Sequence, residues 1–323
     1  MKKLLSLAMA LVMVLSMGVM AFATAGNEDP ETELKEANPV TIKKEVEIVN
    51  QGTLKPDETF SFTVGKGSVL SGNAESAPDF DPDKFDIKVL AAALSGDTTI
   101  DLPDFEHVGE YLYPITEDDV STAGFVKDDA TYYLKITVIN NDAGDGFIRV
   151  LTLHDEKNVK TDAFENKFKA GSLVINKEIT GNYAVFTDEF EVTVVLTPDE
   201  GKNIKEGPIT VTGAFGETGN VVKNEDGTVT VTFTVTHDST VTIANVPYDV
   251  SYEVTEDAGD YTATITGDNG KIEEALQEVE IVNNLDQEVA TGVNLDNLPY
   301  ILILGAVTIG LFGFTMKRRF NNR

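Results

Sequence analysis

The chain has 323 residues, enough for two or three domains of ordinary size. Its 54 acidic and 25 basic residues give a formal net charge of −29, which disfavours nucleic acid and anionic lipid as partners. There is no cysteine, so disulfides and thiol nucleophiles are excluded, and any covalent brace must use other chemistry.

Residues 1–25 read as a signal peptide. Lys2 and Lys3 form its basic start, Leu4 to Met20 its apolar stretch, and Ala21-Phe22-Ala23 or Ala23-Thr24-Ala25 its small-x-small cleavage site. A retained membrane anchor is the alternative, disfavoured by the small residues and acidic stretch that follow directly. Residues 26–39 are acidic and contain proline but few apolar residues, the composition of a flexible leader.

From residue 40 the pattern is almost entirely that of strands. Val40 to Val49, Phe60 to Val64, Tyr132 to Ile139 and Phe147 to Leu153 alternate apolar and polar. Phe190 to Leu196, Thr228 to Val235, Thr240 to Ile243, Ser251 to Thr255 and Tyr261 to Ile265 do the same. Turn signals such as Asn224-Glu225-Asp226-Gly227 and Gly267-Asp268-Asn269-Gly270 separate the runs. Short alternating strands with regular turns predict an all-β protein of antiparallel sandwiches. A helical turn is expected at one place, Ile272 to Leu276.

The strand region repeats itself loosely. Val40-Thr41-Ile42-Lys43-Lys44-Glu45-Val46 is echoed by Leu173-Val174-Ile175-Asn176-Lys177-Glu178-Ile179. Tyr113-Pro114-Ile115-Thr116-Glu117-Asp118 is echoed by Tyr252-Glu253-Val254-Thr255-Glu256-Asp257, and Phe164-Glu165-Asn166 by Ile281-Val282-Asn283. Two related domains in tandem are predicted, residues 40–168 and 169–287.

Residues two apart in a strand share a face. Lys44 is in line with Val40, Ile42, Val46 and Ile48, and Lys177 with Leu173, Ile175 and Ile179. Glu117 is in line with Tyr111, Tyr113 and Ile115, and Glu256 with Val250, Tyr252 and Val254. Phe164 and Phe168 flank Asn166, and Val279 and Ile281 precede Asn283. Each half thus points one Lys, one Glu and one Asn, in that order, into its own core. Burying such groups singly costs several kcal/mol apiece, so each must be neutral or paired. Desolvation lowers a lysine pKa and raises a glutamate pKa. Two outcomes fit: a buried Lys–Glu pair with a hydrogen-bonded Asn, or attack of a neutral lysine amine on the Asn carboxamide, giving an isopeptide bond promoted by the Glu.

The C-terminal 288–323 has three parts: Glu288-Val289-Ala290-Thr291-Gly292, an apolar stretch over 300–316, and a basic tail over 317–323 with Lys317, Arg318, Arg319 and Arg323. The apolar stretch can just span a bilayer, with the tail on the cytoplasmic side. An ordinary single-pass membrane protein would share those two parts. With the pentapeptide in front, the arrangement resembles the cell-wall sorting signal of Gram-positive surface proteins. That resemblance implies sortase cleavage between Thr291 and Gly292 and transfer of the Thr carbonyl to an amine, although Glu288-Val289 replaces the common Leu-Pro opening.

From about residue 40 to its end the chain resembles the two-domain major (backbone) pilins of Gram-positive bacteria. The resemblance is carried by Lys44 in Lys-Glu-Val-Glu-Ile-Val-Asn, Glu117 in Tyr-Leu-Tyr-Pro-Ile-Thr-Glu, Asn166 in Phe-Glu-Asn, Lys177 in Ile-Asn-Lys-Glu-Ile-Thr-Gly, Glu256 in Tyr-Glu-Val-Thr-Glu-Asp, and Asn283. It implies two immunoglobulin-like β-sandwiches, with Lys44–Asn166 and Lys177–Asn283 bonds promoted by Glu117 and Glu256. It also implies a lysine late in the first domain as acceptor for the next subunit. Lys160 fits best and Lys157 is the alternative, each a residue or two out of register. The implied partners are a sortase, further copies of the chain head to tail, a tip adhesin and peptidoglycan.

Other classes fit less well. A wall-anchored adhesin that never polymerises would share every feature except a working acceptor lysine. A secreted enzyme would have to rely on His107, His154 and His237, which form no triad or metal spacing. Asp79, Asp81, Asp83 and Asp86 lack the Gly and the closing Glu of a calcium loop, so neither a metal nor a cofactor is expected.

Overall fold

The computed structural model describes residues 37–288 apart from 206 and 218. The proposed signal peptide, most of the leader, and the sorting segment beyond Glu288 lie outside the described residues. Within the described residues the chain is all-β. The first half contributes β1 (Val40–Ile48), β2 (Glu58–Val64), β3 (Ser68–Gly72), β4 (Lys84–Val89), β5 (Ser95–Ile100) and β6 (Gly109–Glu117). It continues with β7 (Phe125–Val126), β8 (Tyr132–Asn140), β9 (Phe147–His154), β10 (Lys160–Thr161) and β11 (Ala163–Phe168). The second half contributes β12 (Ala170–Thr180), β13 (Phe190–Pro198), β14 (Thr210–Thr212), β15 (Gly219–Lys223) and β16 (Val229–Val235). Its remaining strands are β17 (Thr240–Pro247), β18 (Val250–Asp257), β19 (Thr262–Thr266), β20 (Asn269–Lys271) and β21 (Leu276–Asn284).

Each half is two sheets over one core. In the first, β5-β1-β11-β7 faces β10-β9-β8-β6-β2-β4, with β3 also paired to β6. In the second, β14-β17-β12-β21-β19 faces β15-β16-β13-β18-β20. The inward residues follow the alternation read from the sequence: β2 buries Glu58, Phe60, Phe62 and Val64, and β16 buries Val229, Val231, Phe233 and Val235. Most strand pairs are antiparallel. The exceptions among the named strands are the first and last strand of each half, which run side by side in parallel, β1 with β11 and β12 with β21.

The helical turn expected at Ile272–Leu276 does not form. Ile272 is fully buried and its N–H reaches the Val250 carbonyl, so the segment is held as a non-helical connection, bent at Glu274 and Ala275, between β20 and β21. The one helical piece among the described residues is a 3-10 turn at Phe215–Glu217. Strands β3, β5 and β15 are edge strands without an alternating apolar pattern; β3 and β15 are exposed over most of their length and β5 over half of it.

The two halves meet through polar contacts around the short step from Phe168 to Ala170. Ala123 packs in the second core and Ala170 in the first. Asn203 N–H donates to the Ser121 carbonyl (2.8 Å), and Ala123 N–H donates back to the Asn203 carbonyl (2.9 Å). Asn245, buried at φ +61°, accepts from Leu54 N–H and donates to the Pro208 carbonyl, 2.8 Å each. Lys205 Nζ donates to Glu58 Oε1 (2.8 Å) and to the Asp57 carbonyl (3.0 Å).

Gly124 sits in this seam at φ +83°, and a Cβ there would lie 2.6 Å from the Lys169 carbonyl oxygen and 2.8 Å from the Phe168 ring. Gly124→Ala is expected to cost about 1–3 kcal/mol, the cost of a non-glycine residue strained into this region. Urea unfolding of purified protein measures it.

Candidate functional site

In each half the first and last strands place a lysine and an asparagine in the same relation. Lys44 pairs with Phe164, and Asn166 lies opposite Val46; Lys177 pairs with Ile281, and Asn283 lies opposite Ile179. The asparagine is therefore two residues further along, on the same inward face, a diagonal neighbour that a lysine side chain can span. The glutamate comes from the facing sheet. Glu117 ends β6 opposite Phe62 of β2, and Glu256 lies near the end of β18 opposite Val192 of β13. The strand pairings make the two arrangements equivalent residue for residue.

The first trio is connected by hydrogen bonds. Lys44 Nζ donates to Glu117 Oε2 at 2.7 Å, and Asn166 Nδ2 donates to Glu117 Oε1 at 2.5 Å. Asn166 Oδ1 accepts from the backbone N–H of Asp128 at 2.9 Å. The Lys44 and Glu117 side chains are 0% and 3% exposed. Burial pushes the Lys44 pKa down against the opposing pull of Glu117, and burial pushes the Glu117 pKa up against Lys44. Both shifts favour the uncharged forms, so one proton passing from Lys44 to Glu117 relieves two desolvation penalties together.

The second trio is as enclosed but less satisfied. Lys177 Nζ forms an ion pair with Glu256 Oε1 at 2.9 Å, with both side chains fully buried. Asn283 is fully buried and, among the described residues, neither of its amide atoms has a hydrogen-bond partner. An unpartnered buried polar group costs about 1–3 kcal/mol. Burial lowers the Lys177 pKa as it does that of Lys44.

Two features of the sites are not legible in the strand pattern. One is the aromatic floor: the Phe60 and Phe62 rings lie 4.9 and 5.8 Å from Lys44 Nζ, and the Phe190 ring 4.6 Å from Lys177 Nζ. Phe60 and Phe190 sit two residues before Phe62 and Val192, the partners of the two glutamates, so they are equivalent positions. Alternation marks each as inward but cannot say which core residue lies beneath the amine. The other is the Asp128 N–H, a backbone donor from a loop that carries no side-chain signal.

The remaining sequence candidates lie apart from these clusters. Lys160 and Lys157 are both exposed. Lys160 opens β10 and pairs with His154, while Lys157 stands on the turn closed by Asn158 N–H to the Asp155 carbonyl. Glu288 is exposed at the end of the described residues, and Val289, Ala290, Thr291 and Gly292 lie outside them. His107, His154 and His237 are in separate places, and no group of metal-binding side chains forms among the described residues.

Residues 40–169 match the family model of the Spy0128-like isopeptide containing domain. Residues 171–285 match a family described only as a domain of unknown function, DUF7601. A protein named "Pilin" from Streptococcus pyogenes serotype M1 is 22% identical over 308 residues, covering 87% of this chain and 90% of that protein. The crystal structure of the major pilin from Streptococcus pyogenes matches with a TM-score of 0.55 at 16% identity, covering 78% of this chain and all of the other. The major pilin T3.2 from serotype GAS13637 of the same species matches at 0.52 and 20%, covering 77% and 99%. The resemblance to two-domain major pilins read from the sequence is borne out, as is the tandem β-sandwich fold.

Phe190→Ala, in an Asn283→Ala background, opens the floor beneath Lys177. A loss of about 3–5 kcal/mol is expected from the cavity. Water reaching the amine should also return the Lys177 pKa toward the ordinary lysine range. Urea unfolding and pH-dependent amine labelling read the two effects.

Proposed function

We propose that the chain is a structural subunit of a surface pilus, braced in each domain by a self-formed Lys–Asn isopeptide bond and joined to its neighbours and the cell wall by a sortase. The observation that carries this is the same Lys–Glu–Asn trio at the same strand register in two successive domains. A single buried lysine has many explanations; two in matching register, each with its glutamate and asparagine, favour a shared chemical role.

The chemistry follows from the contacts. Proton transfer from Lys44 to Glu117 leaves a neutral amine and a neutral acid. Nζ attacks Cγ of Asn166, and the Asp128 N–H at Oδ1 meets the negative charge that develops there. Glu117, already bonded to Asn166 Nδ2, supplies a proton to that nitrogen and takes one back from Nζ. The Cγ–Nδ2 bond breaks, ammonia leaves, and an Nζ–Cγ amide remains. Lys177, Glu256 and Asn283 take the same roles in the second domain, where the unpartnered carboxamide is relieved by reacting. Each set of residues is consumed once, so the protein turns nothing over and needs no cofactor.

The intact protein is expected to weigh two ammonias less than its sequence mass. Glu117→Ala and Glu256→Ala should each restore one. By analogy with disulfides closing loops of this length, each bond contributes about 4–5 kcal/mol. Mass spectrometry of purified protein at the full sequence mass would refute the bonds.

For assembly, sortase would break the Thr291–Gly292 bond, hold Thr291 as a thioester and pass it to an amine. Exposed Lys160 of a second copy is the proposed acceptor, giving a head-to-tail contact that grows without closing. A denaturing gel of a surface extract should show a ladder, and mass spectrometry of it a Thr291–Lys160 peptide. A Thr291–Lys157 peptide would move the assignment to the adjacent turn. Monomers alone, with Thr291 joined to peptidoglycan, would indicate a wall-anchored adhesin that does not polymerise.

A further inference from the structure

The loop between β12 and β13 exposes three apolar side chains within four positions: Tyr183 (57% exposed), Val185 (50%) and Phe186 (56%). It is not a loose loop. The Phe186 ring stacks on the His237 ring at 4.5 Å and 23°. Val185 N–H donates to Tyr261 Oη, which in turn donates to Asp188. The loop also grips the chain as it leaves the second domain. Tyr183 N–H donates to the Leu285 carbonyl, and Asn182 N–H to Asp286. The Asn182 carboxamide then takes Gln287 at both ends: its Oδ1 accepts from Gln287 N–H at 2.9 Å and its Nδ2 donates to the Gln287 carbonyl at 3.1 Å. Gly181, at φ +108°, lets the two segments approach this closely, since a Cβ there would lie 2.2 Å from the Leu285 oxygen.

The exit point of the tail is therefore fixed against the aromatic loop. We propose that Tyr183, Val185 and Phe186 form the docking face for the next subunit of the fibre, a second copy of this chain. The inference rests on the reading of Thr291 as acyl donor. Thr291 is four residues beyond Gln287, so the subunit that accepts it stands within about 14 Å of the clamp. A preformed, rigid aromatic face beside an obligatory joint needs little ordering when it binds. The accepting turn offers a match, because Val159, next to Lys160, is 57% exposed. The sortase also reaches this end, but it departs after transfer, while the second copy remains.

The absence of cysteine makes the test direct. Phe186→Cys and Tyr183→Cys proteins are labelled with a maleimide as monomers and again as sortase-built polymers. Val222→Cys, on exposed β15, serves as reference. The cysteines at 183 and 186 should label fully in the monomer and lose most of their labelling in the polymer, with position 222 labelled in both. Equal labelling in monomer and polymer would overturn the docking face while leaving polymerisation standing. So would equal labelling accompanied by slower polymer formation, which would assign the face to the sortase. Protection already present in the monomer would assign it to the chain's own tail, against the proposal. Failure of the wild-type chain to form any ladder would sink the polymer reading, and this face with it.

Discussion

The constraint on which the rest of the molecule depends is the enclosure of a lysine, a glutamate and an asparagine inside each sandwich. None of the three is tolerable there alone. For Lys44 to meet Glu117 and Asn166, the first and last strands must be parallel neighbours with a fixed offset, and the facing sheet must end a strand above them. The topology of each half is the one that satisfies this geometry twice. A slip of one residue in β1 would turn Lys44 outward and leave Glu117 buried without its cation.

Much of this was legible in the amino-acid order. Period-two alternation marks the inward face of a strand, and a charged residue in line with valines and isoleucines is visible without coordinates. Lys44, Lys177, Glu117 and Glu256 stand out for that reason. Which strand lies beside which is not legible, since alternation says nothing about neighbours. Edge strands such as β15, exposed at every residue, have no apolar face to betray them. The segment Ile272–Leu276 suggested a turn of helix, but it serves as a connection with bends at Glu274 and Ala275, whose one buried side chain, Ile272, closes the core. The clasp of Asn182 on Gln287 is beyond any local pattern, because it joins residues 105 apart.

The two trios share a register but not a state of satisfaction. In the first domain each polar atom of the carboxamide has a partner; in the second, the amide of Asn283 has none among the described residues. Such a deficit is rare in native cores. That the second domain matches a family described only as a domain of unknown function makes the equivalence with the first domain the more useful observation. The seam between the halves is polar and hydrogen-bonded, with one alanine exchanged in each direction. The two sandwiches are thereby tied at several points rather than hung on a single linker.

The parallel course of β12 and β21 has a mechanical consequence. Both strands run the same way, so the chain enters at one end of the sheet and leaves at the other. Tension along the chain therefore slides these strands past each other. The nine residue pairs from Ser172–Leu276 to Thr180–Asn284 are loaded together instead of opening one at a time. A sheet strained in shear yields at much higher load than the same bonds peeled from one end. The strand order would thus suit a domain that carries load even before any covalent cross-link is considered.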